Sequence, residues 1–295
     1  MEKIIFMSDS PSDLLPGDTA GKPYLINSSS VVYDDGRVIR EVEVDRDEYY
    51  QFLKTCKNIP TTAMGTPEQW VESFYQVHSE GYTHVIILTI SSTASSVAQS
   101  IGIAIELFEA DHPEKPLTFE IIDSRTYSLI YGRFILEGLR MNEEGKSFAE
   151  IVDYIRKKLP LSQAVLGVYS LQCMKKSGRV SGMSAFVGEA LGIRPVLFAQ
   201  NGKIVPIDKA RGDKNLIPKI VDHVKTRIVN PAEQELYILH GSIPAAELDR
   251  LEATLSAEFA PRKILRHNLG VTVVTNSGPE TIVVVFNGEP YAQED

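Results

Sequence analysis

Between Ser91 and Ser96 every residue but Ala94 carries a hydroxyl: Ser91, Ser92, Thr93, Ser95 and Ser96. Residues 85–90 before it form an apolar, β-branched run that suits a buried strand of a parallel sheet. Ser96 stands three residues before Gln99, a capping-box spacing, and Val97, Ile101, Ile105 and Phe108 then recur at helical intervals. The expected order is therefore strand, hydroxyl-rich turn, helix. Amides and hydroxyls in such a turn, at the carboxyl end of a strand and the positive end of a helix, can hold a carboxylate or phosphate oxygen. The plainer alternative is that they cap the helix and satisfy the turn, the expected role of Ser95 and Ser96. Two further strands run into oxygen-bearing turns, at Ser8-Asp9-Ser10 and at Asp123-Ser124. Asp9 and Asp123 stand where catalytic carboxylates often stand, although turn stabilisation explains them more simply. His240 ends a strand and is the one histidine placed like a general base, with a structural imidazole as the simpler reading.

The elements that must position these groups follow from periodicity. Residues 3–7 and 117–122 read as two more buried strands, residues 24–46 as a β-rich excursion with a hairpin turn at Asp34-Asp35-Gly36, and residues 49–56 as a helix. Thr66 as cap, Pro67 at the first helical position and Gln69 at the third open a helix to about Glu80, and Ser147 with Glu150 forms another capping box. Tyr127, Ile130, Phe134 and Met141 mark one more helical face. Strands alternating with amphipathic helices predict an N-terminal parallel, Rossmann-like α/β domain over residues 1–160. Residues 161–295 read as a C-terminal α+β domain on a mixed or antiparallel sheet. Its strands are expected at 165–169, 195–198, 204–207, 236–239, 271–275 and 281–286, with helices at 215–228 and 245–259 and a tight turn at Asn201-Gly202.

A net charge of −9 without a Lys/Arg block argues against nucleic acid as a partner. No segment approaches the ~20 apolar residues of a membrane span, and the first ten residues lack a basic, cleavable leader pattern, which predicts a cytoplasmic protein without stable membrane insertion. Cys56 and Cys173 stand far apart with no metal-ligand spacing, and no HExxH, Walker A loop, GxGxxG or GxSxG occurs, so no metal or cofactor is expected.

Residues 171–211 are more specific. They contain L-Q-C-M-K-K-S-G-R-V-S, then A-L-G-I-R-P-V-L, then N-G-K-I-V-P-I-D-K-A-R-G. With Ser8-Asp9-Ser10, the 62–67 loop, the Ser91-Ser92 turn, Ile122-Asp123-Ser124 and Thr275-Asn276-Ser277-Gly278-Pro279 in the same order, this series resembles the DegV family of bacterial fatty-acid-binding proteins. The resemblance implies a protein that catalyses nothing itself and encloses one long-chain fatty acid in a tunnel between its two domains. Such proteins hold the carboxylate with hydroxyls and present it to a separate fatty-acid kinase, which makes acyl phosphate for phospholipid metabolism. Carried over by position, the carboxylate ligands are Thr62 and Ser92 with Ser95 nearby, and Arg179 and Arg211 face the kinase or the phosphate. The energetics are sensible. Each hydroxyl-to-anion bond contributes about 1.5–3 kcal/mol and each buried methylene about 0.8 kcal/mol, so affinity comes from the tail and orientation from the head.

The chain departs from the family pattern at three places. Asn276 occupies the family's histidine position and cannot become cationic, so it either donates its amide to the carboxylate or adopts a left-handed turn before Ser277-Gly278. The loop T-A-M-G-T-P replaces T-S-Q-P-S-P, and Thr93-Ala94 replaces Gly-Leu. Two other functional classes fit the bare residues: a hydrolase or transferase with Ser92 or Ser95 as nucleophile, and a small-anion-binding accessory module.

Overall fold

The computed structural model describes residues 2–179 and 192–290. Val180, Ser181, Ala190 and Leu191, which belong to the family-like segment, lie outside the described residues. In chain order come strands β1 (Ile4–Asp9), β2 (Tyr24–Asn27), β3 (Ser30–Val32) and β4 (Val38–Arg40), then helix α1 (Arg46–Thr55) and the short strand β5 (Thr61–Ala63). Helix α2 (Pro67–Ser79), β6 (His84–Thr89), α3 (Val97–Asp111), β7 (Thr118–Asp123), α4 (Leu129–Glu143) and α5 (Phe148–Lys158) follow. The chain divides into two compact units, Met1–Glu43 with Thr62–Leu159, and Val44–Thr61 with Pro160–Asp295.

In the first unit β2-β1-β6-β7 form a parallel sheet, and β4-β3-β5 a separate small one. The two central strands explain the apolar runs: β1 is buried throughout, and so is β6 after His84. Strand β7, expected to be buried, is an edge strand with only Ile122 fully covered, because one of its flanks has no neighbour. Thr66 and Gln69 make the expected reciprocal cap of α2, and Ser147 and Glu150 that of α5. Ser96 does not cap α3. Its backbone (φ −87°, ψ 16°) is not the extended N-cap conformation, and the Val97 amide donates instead to Ser95 Oγ at 3.3 Å.

The second unit adds β8 (Ser162–Val168), α6 (Gln172–Ser177), β9 (Ile193–Gln200), β10 (Lys203–Arg211), α7 (Leu216–Lys225), β11 (Glu235–His240), α8 (Ala245–Phe259), β12 (Lys263–Asn268), α9 (Val271–Ser277) and β13 (Thr281–Asn287). The six-stranded sheet runs β10-β9-β8-β13-β11-β12. It is mixed, since β11 and β12 are parallel and the other neighbours antiparallel. Asn201 (φ 47°) and Gly202 (φ 75°) close the β9–β10 hairpin, both in the left-handed region that a two-residue turn of this hand requires. Ile217, Ile220 and Val224 of α7 and Leu251 and Leu255 of α8 form the core with Val165 and Val284.

Residues 271–275, expected as a strand from their β-branched side chains, open helix α9. Val271, Val274 and Thr275 lie on one buried helical face, Thr275 Oγ1 donates to the Val271 carbonyl at 2.7 Å, and Tyr49 of α1 meets Thr275 Oγ1 at 2.7 Å. Burial and these bonds override the intrinsic preference. Strand β12 has no clear signature in the sequence because its charged and polar residues Lys263, Arg266, His267 and Asn268 hide the alternation, as befits a sheet edge.

Candidate functional site

Parallel register brings the carboxyl ends of three strands together. Ser8 lies opposite Leu88, and Thr89 opposite Asp123, so Asp9, Ile90 and Asp123 share one edge of the sheet. Asp9 is buried there. The Ile90 amide lies 3.2 Å from both of its carboxyl oxygens, and the Tyr131 hydroxyl donates to Oδ1 at 2.6 Å. Burial pushes the Asp9 carboxyl up to about 7 against the pull of these donors, with a smaller push from the charge of Glu41. Beside it, Ser128 donates to Asp13, and Ser8 Oγ lies 2.7 Å from the Tyr24 hydroxyl, whose pKa burial pushes up to about 12. This network fixes the turn after β1, in keeping with the structural reading of Asp9.

The turn at 91–96 is more fully self-satisfied than its sequence suggests. The Ser91 amide donates to the Thr126 carbonyl, Ser92 to Asp123 Oδ1 at 3.1 Å, Thr93 to Ser91 Oγ at 3.2 Å, and Ala94 and Ser95 to the Ser91 carbonyl. Amides 91–95 are thus occupied within the protein, which corrects the expectation that they could cradle an anion. The hydroxyls carry what capacity remains. Ser92 is exposed, and its Oγ donates to Asp123 Oδ2 at 2.6 Å. Ser95 Oγ accepts from Val97 and lies 3.7 Å from Met64 Sδ. Thr93 Oγ1 bridges Ser91 Oγ (2.8 Å) and the Tyr127 hydroxyl (3.4 Å). Asp123 also accepts the Arg125 amide at 2.9 Å and lies 4.0 Å from Arg125 Nε.

Thr62 sits in β5, half-buried between exposed Thr61 and Ala63, with no side-chain hydrogen bond among the described residues. Its loop is held against the start of α3 at two points: Met64 on Ser95, and Ser100 Oγ donating to the Gly65 carbonyl at 3.1 Å. Gly65 is required there, since a Cβ would stand 2.1 Å from Asn27 Oδ1. Thr62, Ser92 and Ser95 therefore belong to one unit, on two loops in mutual contact.

The other expected residues lie in the second unit. Asn276 is in the last turn of α9, where Nδ2 donates to the Thr272 carbonyl at 2.8 Å. It is not left-handed; Gly278 takes the positive φ (96°). Arg179 is exposed after α6, its Nη1 donating to the Ser177 carbonyl at 2.8 Å. Arg211, also exposed, ends β10 and lines a cavity of ≈ 420 Å³ with Lys209, Asn215 and Lys219. His240 Nδ1 lies 2.8 Å from the Gly241 carbonyl, a local contact that fits its structural reading. Among the described residues no group of three or more His, Cys, Asp or Glu side chains could hold a metal, and no helix is long and apolar enough to cross a membrane.

Asp123, Met64 and Tyr127 shape the site without having been counted as its contacts from the sequence. Asp123 could have been found by pairing the third strand against the second, which places it beside Thr89.

The comparisons with known proteins agree with this architecture. A profile described as an uncharacterised protein of the DegV family matches residues 3–289. A DegV domain-containing protein of Caldanaerobacter subterraneus subsp. tengcongensis is 31% identical over 97% of this chain and 99% of its own length. The crystal structure of a fatty acid binding DegV family protein from Streptococcus agalactiae superposes with a TM-score of 0.84 at 23% identity, covering 98% of this chain and all of that one (100%). The structure of a stearic acid-binding protein from Eubacterium ventriosum gives 0.84 at 22%, covering 97% of this chain and 98% of that one. At such identities these two structures establish the fold.

Proposed function

This chain belongs to the DegV family, and we propose that it binds a long-chain fatty acid without transforming it, with the carboxyl group at the hydroxyl loops of the first unit. The observation that carries this reading is the meeting of two family-like motifs: the loop bearing Thr62 touches the turn bearing Ser92 and Ser95 through the Met64–Ser95 contact. A half-buried hydroxyl without an internal partner at Thr62, a neighbouring turn of hydroxyls and an exposed Met64 suit a polar head with an apolar tail behind it. Asn276 is assigned a head-group contact on its family position, and Ser95 a supporting one.

Binding fits the geometry better than catalysis. A serine nucleophile needs a base strong enough to take its proton and donors for an oxyanion, whereas among the described residues Ser92 Oγ meets only the weakly basic Asp123 carboxylate and amides 91–95 are already spent. The same spent amides count against a small-anion module. The bound acyl chain is presented to a separate fatty-acid kinase, with exposed Arg179 and Arg211 facing that partner or the phosphate it transfers.

Mass spectrometry of lipid extracted from the purified protein tests the reading. A long-chain fatty acid at about one equivalent is expected; lipid-free protein that also fails to take up oleate overturns it.

A further inference from the structure

The direction of one hydrogen bond constrains the charge of the ligand, granted the fatty-acid reading. Asp123 accepts two amides on Oδ1, from Ser92 at 3.1 Å and Arg125 at 2.9 Å, and accepts the Ser92 hydroxyl on Oδ2 at 2.6 Å. A carboxylate has no proton to give, so the single proton of Ser92 points at Asp123 and only oxygen lone pairs face outward. A ligand carboxylate placed against them would set acceptor against acceptor. Turning the proton toward the ligand would break one charge-assisted bond to form another, and would put two carboxylates on one hydroxyl. A protonated carboxyl group fits instead: its O–H donates to Ser92 Oγ, and its carbonyl accepts from the Thr62 hydroxyl, which has no internal partner among the described residues.

Among the described residues, no cation in contact with this turn reverses this. Arg125 lies 4.0 Å from Asp123, so its charge is balanced by the carboxylate that Ser92 already faces. From the approach to α4 comes Tyr127, which burial keeps protonated, and from the end of β1 the buried Asp9, engaged by Ile90 and Tyr131. Residues 61–66 of the Thr62 loop and residues 97–100 of α3 include no charged side chain.

We propose that the Ser92 turn takes a fatty acid in its neutral, protonated form, and that Asp123 is the positioning residue that sets this preference by holding the Ser92 proton. The same arrangement accepts other neutral heads that both donate and accept, such as a primary alcohol.

The test is equilibrium binding of oleic acid and of oleyl alcohol to the full chain between about pH 6.5 and 8.5. The alcohol does not titrate, so the ratio of the two affinities cancels pH effects on the protein that act on both heads alike. Oleic acid should weaken relative to the alcohol by about tenfold per pH unit, following the falling fraction of neutral acid. Asp123→Asn supplies the second arm. The two amides at Oδ1 hold the new carbonyl there, which leaves its NH₂ facing Ser92 Oγ and turns the serine proton outward. Its pH slope should flatten and its preference shift toward the oleate anion. A ratio that does not change with pH in the unaltered protein overturns the proposal, as does an undiminished slope in Asp123→Asn, while the fatty-acid reading stands. Binding of neither lipid overturns that reading and this proposal together.

Discussion

The Tyr131 hydroxyl donates to Asp9 Oδ1 at 2.6 Å in fully buried surroundings, tying α4 to the end of β1. Burial nevertheless dominates and raises the Asp9 carboxyl to about 7. A carboxyl group with a raised folded-state pKa binds its proton more tightly folded than unfolded. Its contribution to stability is therefore fully present below the unfolded value of 3.8 and is lost as pH rises to about 7. Urea denaturation of the unaltered protein should show about 3 kcal/mol of stability lost to this group between roughly pH 5 and 8. Asp9→Asn should remove most of that slope; an equal slope in both proteins would assign it to other groups.

Two residues that look alike in sequence should behave differently. Thr66→Ala removes an observed cap, in which Thr66 Oγ1 accepts the Gln69 amide at 3.4 Å, and is expected to cost about 1 kcal/mol. Ser96→Ala removes no capping bond and should stay within about 0.5 kcal/mol of the unaltered protein by the same denaturation measurement.

Gly132 and Gly102 form a second contrasting pair. A Cβ at Gly132 would stand 2.3 Å from the Ser12 backbone carbonyl, so Gly132→Ala should destabilise by about 1–3 kcal/mol as α4 is pushed off the turn after β1. Gly102, inside α3, has nothing within 4 Å of that position, and Gly102→Ala should stabilise by up to about 1 kcal/mol.

Thr62→Val keeps the shape of β5 and deletes its half-buried hydroxyl, which has no internal partner among the described residues. The fold should be unchanged by circular dichroism, while fatty-acid retention should drop by about tenfold, the value of one head-group hydrogen bond. Unchanged retention would remove Thr62 from the site.

Much of this was legible in the chain because local signals and tertiary demands agreed. The buried runs of β1 and β6, the Thr66 and Ser147 caps, the Asn201-Gly202 turn and the boundaries of α8 each follow from residue chemistry that the fold does not contradict. The failures came where long-range partners decide. Val271 to Thr275 look like a strand until Thr275 is seen bonding back to Val271 and meeting Tyr49. The 91–95 amides look free to cradle an anion until the Ser91 and Thr126 carbonyls, Ser91 Oγ and Asp123 of the neighbouring strand are seen to accept them. Spacing alone could name the donors of that turn but not whose acceptors they had already met.

Helix α1 lies in the segment Val44–Thr61, inside the stretch of sequence that builds the first unit, yet it belongs to the second. Its Tyr49 and Tyr50 hydroxyls meet Thr275 and the Leu269 carbonyl, which lie 226 and 219 residues further along the chain. A helix of 10 residues has little stability alone in water, so it must wait for those partners while the sheet around its insertion point can already close. Completion of the second unit is thereby deferred until residues 269–275 have been made, and neither unit can be excised with a single cut.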